Sequence, residues 1–497
     1  MAFVSLKFII FFILLFFSYY VLFPKQQWKV LLIGSLIFYA YASPYYLIFL
    51  LFSVIISYIV CNRLPDSTHK KGLVALGISC NLLILGILKY TGFFLDNVQA
   101  LLGQFHIETA FPEINWILPL GISFYTFMTI GYCIDIYRGV CEPQKDFYKH
   151  LLFLSFFPQI TQGPINRYEE MSVNLFRQHA FDFSVMKQGG YRILKGLFKK
   201  LIIAGRLGVY VDRVYADIPA YDAFTLLLAT FFYALQIYCD FSGYVDIVCG
   251  LSEMLGIPMS ENFERPYFSK SIPEYWRRWH ITLGSWFRDY LYYPVIRSEF
   301  CRKLKKFLNK KVSRSFGANV TTSIGLACVW FMTGLWHGAS WHYVIHGLYH
   351  GVIIISGVFL ASFYKKTRTA LRINEKSRLF SVFQIVRTFI LVDFSYIFFR
   401  SETLSDAFLI IKKIFTEFSI NVSVIKQSLL PFTEDNTAVS YFIITFAAVS
   451  GLFIVEVFEE LNLNFFKRHK YVLACIMIVT TLLFGIFGQS GFLYMQY

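Results

Sequence analysis

Charged residues are scarce in this 497-residue chain, at 15% of the sequence, whereas a soluble globular protein carries roughly 25%. Hydrophobic residues make up 56% and aromatic residues 20%. A soluble protein of this composition could not cover its surface with polar groups, but a bilayer removes that requirement because lipid is the surrounding solvent. The scarcity of charge therefore excludes an ordinary soluble domain and predicts an integral membrane protein with several spans.

Acidic residues are fewer than basic ones, 31 against 46, which gives a formal net charge of +15. Nucleic acid is the usual partner of a basic chain. Here the cations fall in short loops between apolar runs, as the positive-inside rule describes, so no nucleic-acid partner is predicted. The rule places four basic loops in the cytoplasm, namely 63–71, 298–319, 364–378 and 467–470. Loop 94–114, which has no Lys or Arg, is predicted on the outer side.

Paired cysteines are also missing. The nine cysteines include no Cys-x-x-Cys pair and most lie in apolar runs. They are interpreted as small buried hydrophobic residues, which argues against a disulfide framework or a cysteine metal site. The first apolar run, at about 8–23, is not followed by a small-residue cleavage site, so it is predicted to be a retained span. No internal repeat or low-complexity tract is evident in the sequence.

Twelve apolar stretches are candidate membrane spans, since a helix needs about 20 apolar residues to cross a bilayer. Some are short or contain Gly and Pro, which makes them candidates for re-entrant segments, so we expect about 10–13 membrane or re-entrant helices. The basic segment 183–206 has helical spacing that predicts an amphipathic helix on the inner membrane surface, with a basic cytoplasmic loop as the alternative. The candidate spans lie near 8–24, 29–44, 46–62, 73–93, 116–134, 150–165, 222–250, 320–337, 341–363, 380–399, 438–457 and 471–488.

Polar side chains interrupt one apolar run, at 236–246, which contains Asp240, Ser242 and Asp246. An ionised side chain at the bilayer centre costs roughly 2.5–3.5 kcal/mol or more, so such groups usually face a protein interior or a wet cavity. Two interpretations stay open. The aspartates either pair with Arg residues and lock helices together, or Asp240 and Ser242 help to bind a substrate.

Aromatic and charged residues alternate in segment 274–293, which has His280 at its centre. Trp and Tyr favour the membrane interface, and Arg beside them can reach lipid phosphates. The segment is therefore either an interfacial helix or part of a substrate site, and a single His in such a place is more often structural than catalytic. The candidate substrate-binding residues here are Arg277, Arg278, Arg288 and Asp289.

His337 follows another apolar run and lies between Trp336 and Gly338. Glycine lets a substrate or another backbone approach closely. Imidazole is the side chain whose ordinary pKa suits a proton acceptor near neutral pH, so His337 is a candidate general base.

Three further histidines, at 342, 346 and 350, repeat every four residues and share one helix face. A metal site is conceivable on such a face. No carboxylate or Cys lies close by in sequence to complete one, so a packed polar face is predicted and no metal is expected.

Seven short motifs, taken in order, resemble the membrane-bound O-acyltransferase (MBOAT) superfamily, and above all its bacterial alginate O-acetyltransferase (AlgI-type) branch. The C-terminal FLYMQY at 492–497 also resembles the end of that branch. Two departures, VIR at 295–297 and ITQ at 160–162, leave the substrate open. The seven motifs are LPLGISFYTF at 118–127, SFFPQ at 155–159 with GPI at 163–165, DFSGYVD at 240–246, ENFERPY at 261–267, WRRWH at 276–280, SWFRDYLY at 285–292 and GLWHGA at 334–339.

The resemblance implies an all-α polytopic membrane protein with a central funnel and a thin central region through which an acyl group passes. The two characteristic histidines of the family correspond to His337, implied to be the essential catalytic residue, and to His280, its partner. Trp336 is a candidate for substrate binding. One membrane domain over 1–497 is expected, made of N-terminal helices (1–110), a catalytic core (116–350) and C-terminal helices (351–497).

The implied activity moves an acyl group, first of all acetyl, from a cytoplasmic thioester such as acetyl-CoA towards hydroxyls of an extracytoplasmic polysaccharide or cell-wall glycopolymer. No bound cofactor is expected. The expected location is the cytoplasmic (inner) membrane, in contact with the lipid bilayer. A separate extracytoplasmic acetyltransferase or esterase-like protein is the expected partner, because the chain contains no soluble esterase-like domain.

Two alternatives stay open. Within the superfamily, the chain could transfer D-alanine to teichoic acid (DltB-type). From a different class, it could be a transporter that moves an acyl donor or a glycan without chemistry, although the paired repeats that transporters often show are not evident.

Overall fold

The computed structural model describes residues 1–42, 44–107, 109–112, 116, 118–432 and 438–487. The chain forms two compact units. The first comprises Met1–Ile193 and Tyr244–Ser260, and the second comprises Leu194–Gly243 and the described part of Glu261–Leu493. The predicted division into N-terminal helices, core and C-terminal helices stays a prediction. The FLYMQY motif lies outside the described residues.

Regular structure in the described part of the chain is helical, apart from one isolated antiparallel bridge between Phe263 and Trp279. The predicted all-α fold class is therefore confirmed. Six helices are long and apolar enough to cross a membrane among the residues described, which confirms a multi-pass membrane protein; the total of 10–13 stays a prediction. The six are Lys70–Gln104, Ala223–Met254, Arg314–His337, Trp341–Ala370, Arg378–Arg400 and Val439–Glu460.

Two helices of the first unit begin at polar caps, because Ser5 and Asp146 accept hydrogen bonds from the free backbone N–H groups that follow them. Short π-helical turns, Ser18–Leu22 and Gly86–Tyr90, continue two of the helices. The α-helices that begin in this unit are Leu6–Phe17, Gln27–Ala42, Leu47–Arg63, Lys70–Leu85, Thr91–Gln104, Ile122–Arg138, Phe147–Ser155, Phe157–Ile160, Tyr168–Leu175 and Phe183–Phe198.

Helices of the second unit start at Ser, Thr and Asn caps in the same way, for example at Ser271 and Ser313. Its π-helical turns are Lys199–Ala204 and Arg288–Tyr292, and its 3-10 turns are Ile218–Ala220, Pro266–Phe268 and Leu430–Phe432. The α-helices that begin in this unit are Gly205–Ala216, Ala223–Met254, Ile272–Arg278, Ile281–Phe287, Tyr293–Ile296, Glu299–Lys311, Arg314–His337, Trp341–Ala370, Arg378–Arg400, Leu404–Thr416, Val422–Gln427, Ala438–Glu460, Phe465–Arg468 and Lys470–Phe484.

The predicted span at 150–165 is wrong. The stretch consists of two short helices, Phe147–Ser155 and Phe157–Ile160, followed by an irregular segment. Pro158 removes a backbone donor, so the first helix cannot continue through it. Its apolar residues are buried inside the first unit, which explains why the stretch looked like a span.

The segment 183–206 is helical, as predicted, but the predicted surface location is wrong for its C-terminal end. Lys199, Lys200 and Arg206 are each 4–5% exposed, so this end of the segment is buried in protein. Lys200 forms an ion pair with Asp240, and Lys199 donates to Ser242. The sequence spacing therefore predicts the helix correctly. The cations can lie in the interior because the Asp240 carboxylate and the Ser242 hydroxyl bind them there.

Two predicted loops contain helices. The segment 94–114 is helical as far as Gln104, and 298–319 contains Glu299–Lys311 and the start of Arg314–His337. Within the predicted span at 116–134, the helix begins at Ile122. Residues 113–115 and 117 lie outside the described part of the chain. The difference at 116–134 concerns the end of an element, where hydropathy carries little information. Glu299–Lys311 is instead a separate, highly charged helix that no long apolar run marks in the sequence.

Candidate active site

His337 ends the first helix of a hairpin made of Arg314–His337, residues 338–340 and Trp341–Ala370. Glycines allow the two helices to meet below it. A Cβ atom on Gly334 would lie 2.6 Å from the Tyr343 carbonyl oxygen, and one on Gly347 would lie 2.3 Å from the Trp330 carbonyl oxygen. Small residues at a membrane helix crossing let backbones approach in this manner. His337 is thereby fixed at the closed end of a tight hairpin.

Aromatic rings surround His337, which is 3% exposed. The centroid of its ring lies 4.9 Å from that of Trp336, 4.9 Å from that of Phe399 and 6.1 Å from that of His346. Such walls lower the local dielectric and strengthen any hydrogen bond or charge that forms between them.

His280 lies between two short helices, Ile272–Arg278 and Ile281–Phe287, and is 1% exposed. Its backbone adopts the left-handed conformation, with φ 48° and ψ 52°, which is uncommon for a residue other than glycine. The ring centroid lies 5.0 Å from that of Phe241 and 5.5 Å from that of Trp336.

Trp336 therefore contacts both histidines. The two imidazoles come from distant parts of the sequence, one from the loop region after the long Ala223–Met254 helix and the other from the hairpin. The second unit brings both rings within contact distance of one indole.

His280 lies outside the six long membrane helices. Loss of water on burial lowers its pKa to about 3, and a hydrogen bond to a backbone carbonyl opposes that shift only in part. The ring is therefore neutral across the physiological pH range.

The aspartates of segment 236–246 occupy ion pairs. Asp240 pairs with Lys200, and in the first unit Asp246 lies 3.4 Å from Arg192 Nε. The helix-locking interpretation holds for the contacts, although the partner of Asp240 is a Lys where an Arg was expected. Phe241, between Asp240 and Ser242, is the residue whose ring contacts His280.

The charged residues of segment 274–293 are placed differently from one another. Arg277 is exposed. Arg278 pairs with Glu274 at 2.8 Å and with Glu460 at 3.0 Å. Arg288 and Asp289 form an ion pair of 2.9 Å, with the arginine side chain 58% exposed. Their role in substrate binding stays a prediction.

The three histidines of the next helix turns hydrogen bond within the protein. His342 Nδ1 donates to the Phe398 carbonyl at 3.2 Å and His346 Nδ1 to the Ser395 carbonyl at 3.0 Å, while His350 Nε2 lies 3.0 Å from Ser395 Oγ. These contacts fit the predicted packed polar face. Within the described ranges, no group of three or more His, Cys, Asp or Glu side chains is arranged to hold a metal ion.

Sequence reasoning missed three residues that build the site. Asn262 contacts the His280 turn, and Phe241 and Phe399 wall the two histidines. Asn262 and Phe241 lie inside motifs that carried the resemblance, which was the available signal. Phe399 lies in an ordinary apolar run and gave no signal.

A model of the MBOAT, membrane-bound O-acyltransferase family matches residues 142–392, a stretch that contains both histidines and Trp336. The chain belongs to the membrane-bound O-acyltransferase family. The family resemblance and the enzyme class, an acyltransferase, are thereby confirmed.

Several curated proteins resemble this family member over most of its length. The probable alginate O-acetylase AlgI of Azotobacter vinelandii is 32% identical over 414 residues, which cover 82% of this chain and 76% of the relative. The peptidoglycan O-acetyltransferase of Helicobacter pylori is 30% identical, covering 83% and 77%. The teichoic acid D-alanyltransferase of Bacillus subtilis is 30% identical, covering 65% and 78%.

Proposed function

We propose that this membrane-bound O-acyltransferase moves an acetyl group from an acyl thioester, such as acetyl-CoA, towards hydroxyls of an extracytoplasmic polysaccharide. The names of two relatives support an O-acetyl product on a glycan, one on alginate and one on peptidoglycan. The proposed location is the cytoplasmic membrane. A separate extracytoplasmic acetyltransferase or esterase-like protein would complete transfer to the polymer.

The observation that carries the proposal is that His280, His337 and Trp336 are all buried, with both imidazole rings against the Trp336 ring. In the proposed step, His337 acts as general base. It takes the proton of a hydroxyl, on the final acceptor or on an intermediate carrier, as that oxygen attacks the thioester carbonyl. A C–O bond forms, the C–S bond breaks, and the proton passes from His337 to the departing thiolate, so that an ester and a thiol leave the site.

The aromatic walls contribute by excluding water, which would otherwise compete with the acceptor hydroxyl for the thioester. Arg277 is an exposed cation of segment 274–293, and it is the proposed contact for donor phosphates. Arg278 and Arg288 already neutralise carboxylates, so their proposed contribution is to hold the segment in place.

The test replaces His337 with Ala in the full-length protein, with His469→Ala as a control because His469 is an exposed histidine of the same unit. A general base contributes roughly 10²–10⁴-fold to rate. We therefore expect His337→Ala to lower both thiol release from acetyl-CoA and ester-linked acetate on the polymer by at least about 10²-fold. Thermal stability and membrane level should match the control. Normal acylation by His337→Ala would refute the assignment.

D-alanyl transfer is the second candidate, favoured by the similarity to a teichoic acid D-alanyltransferase. Deleting the gene and hydrolysing surface polymers with mild base separates the two. Loss of released acetate supports O-acetylation, whereas loss of released D-alanine with unchanged acetate supports the second candidate. The third alternative was a transporter that performs no chemistry. Transfer of the acetyl group from acetyl-CoA by the purified protein would argue against it.

A further inference from the structure

One short stretch of chain, 261–264, lies along the turn that carries His280. Phe263 and Trp279 form an antiparallel bridge, and the Glu264 N–H donates to the Arg278 carbonyl at 2.9 Å. The Ile281 N–H donates to the Asn262 carbonyl at 3.1 Å. The backbone on both sides of His280 is therefore bound by this stretch.

The side chain of Asn262 completes the arrangement and is fully buried. Its Oδ1 accepts from the Thr282 N–H at 3.1 Å and from Thr282 Oγ1 at 2.9 Å, and lies 3.3 Å from His280 Nδ1. A backbone N–H can only donate, so the amide atom facing it must be the oxygen. Because that same oxygen faces His280, Nδ1 of the neutral ring must carry the hydrogen.

The conformation of His280 makes such support necessary. A residue other than glycine in the left-handed region costs on the order of 1–3 kcal/mol, and it persists only when the surrounding structure over-determines it. Four hydrogen bonds from residues 280–282 reach Asn262, three to its side chain and one to its carbonyl. One asparagine thus holds both the strained backbone and the ring.

We propose that Asn262 is a positioning residue that fixes His280 as the Nδ1–H tautomer, so that Nε2 acts as a hydrogen-bond acceptor. Resting on the proposed function, this assigns to His280 the task of accepting a hydrogen bond from the incoming hydroxyl and orienting it. The tautomer cannot donate from Nε2, so it does not stabilise a developing oxyanion through that atom. His337 keeps the role of base.

The test reads the tautomer directly by NMR on full-length protein with ¹⁵N-labelled histidine rings in lipid nanodiscs. The His280 signals are assigned by their loss in His280→Gln. The wild type should show a protonated Nδ1 and an unprotonated Nε2. Asn262→Leu, which keeps a similar volume but removes the acceptor oxygen, should move the hydrogen to Nε2 wholly or in part.

Thr282→Val is the matched control, because it removes the Thr282 hydroxyl bond to the same oxygen and leaves the contact between Asn262 and His280. It should retain the Nδ1–H tautomer. Asn262→Asp is a second variant that keeps an acceptor atom in place. It should also retain Nδ1–H, and its negative charge should move protonation of His280 to higher pH. If Asn262→Leu does not fold, an Nε2–H tautomer in the wild type or in Asn262→Asp would still overturn the inference.

Thiol release from acetyl-CoA, measured on the same samples, separates this inference from the proposed function. Misplacing His280 should lower kcat/KM by about a hundredfold in Asn262→Leu. A changed tautomer with unchanged turnover would support the positioning role and refute a role for His280 in acyl transfer. An Nε2–H tautomer in the wild type, or an unchanged tautomer in Asn262→Leu, would overturn the inference whatever the turnover.

Discussion

Burial decides the chemistry of single residues in this site. His280 and His337 are 1% and 3% exposed, whereas His469 is an exposed histidine. Removing water penalises the charged form of a ring. For His280 the effect keeps the ring neutral, which suits a residue that receives a hydrogen bond.

The neutral state of His280 should appear in the pH dependence of stability. The unfolded chain protonates this histidine near pH 6.5, whereas the folded chain holds its pKa at about 3. Between these values the unfolded state binds one more proton, so wild-type stability falls as pH falls, by about 1.4 kcal/mol per pH unit. His280→Gln, which cannot be protonated, should lack this loss.

The measurement compares thermal midpoints in detergent for wild type and His280→Gln at pH 7.5 and pH 5. The variant should gain on the wild type by about 2 kcal/mol as the pH is lowered. Contributions of other titrating groups cancel in the comparison. A constant difference between the two proteins over this range would contradict a neutral, buried His280.

Glycine contacts decide the position of the site at the scale of elements. Gly334 and Gly347 face each other across the hairpin, and a Cβ on Gly347 would lie 2.9 Å from Gly334 N as well as against the Trp330 carbonyl. The atoms that an added Cβ would meet first belong to the backbone of the hairpin. They cannot move aside as the end of a flexible side chain can. The close approach at these two glycines therefore sets how tightly the hairpin that carries His337 can close.

Gly347→Ala should force the hairpin helices apart. Overpacking of this kind costs about 1–3 kcal/mol, and displacement of His337 should lower acyl transfer along with the thermal midpoint. Gly357→Ala is the matched control, since it lies on the same helix and an added Cβ there meets no atom within 4 Å. Equal midpoints and equal turnover for the two variants would show that the close contact is unimportant.

The buried cations show that the periodicity of one helix does not predict its partners on another helix. The helical periodicity of 183–206 predicts an amphipathic helix, and a helix forms. Its last cations turn inward because Asp240 and Ser242, on another helix, provide partners. The desolvation of a charge is offset by a specific neighbour, and hydropathy does not identify that neighbour.

Charge asymmetry predicts the orientation of the whole molecule in the membrane. The Arg314–His337 helix has 24 residues and so is about 36 Å long, enough to cross a hydrocarbon core of roughly 30 Å. The two ends of the hairpin that are far from His337 lie in the basic stretches 298–319 and 364–378. The positive-inside rule assigns both stretches to the cytoplasm. The closed end with His337 is then predicted towards the other face.

Cysteine labelling tests this orientation. Lys306→Cys and Gln104→Cys each place a thiol at an exposed position, the first in a predicted cytoplasmic stretch and the second in the predicted outer one. A membrane-impermeant maleimide should label Gln104→Cys in intact cells. It should label Lys306→Cys above the wild-type background only after the membrane is opened. The reverse pattern would invert the predicted topology.

The sequence by itself determined that this chain is an all-helical membrane protein, because composition and apolar run length depend on local transfer energies. It also determined the family, because ordered motifs such as WRRWH and GLWHGA are properties of the chain. Both histidines of the candidate site were named from those motifs.

The tertiary structure decided what surrounds them. Only folding brings His280 to the Trp336 ring, places Asn262 against the His280 turn and gives Asp240 its Lys200 partner. Only folding turns the apolar stretch 150–165 into buried short helices. These features depend on contacts between residues far apart in sequence. Local hydropathy and periodicity carry no information about such contacts.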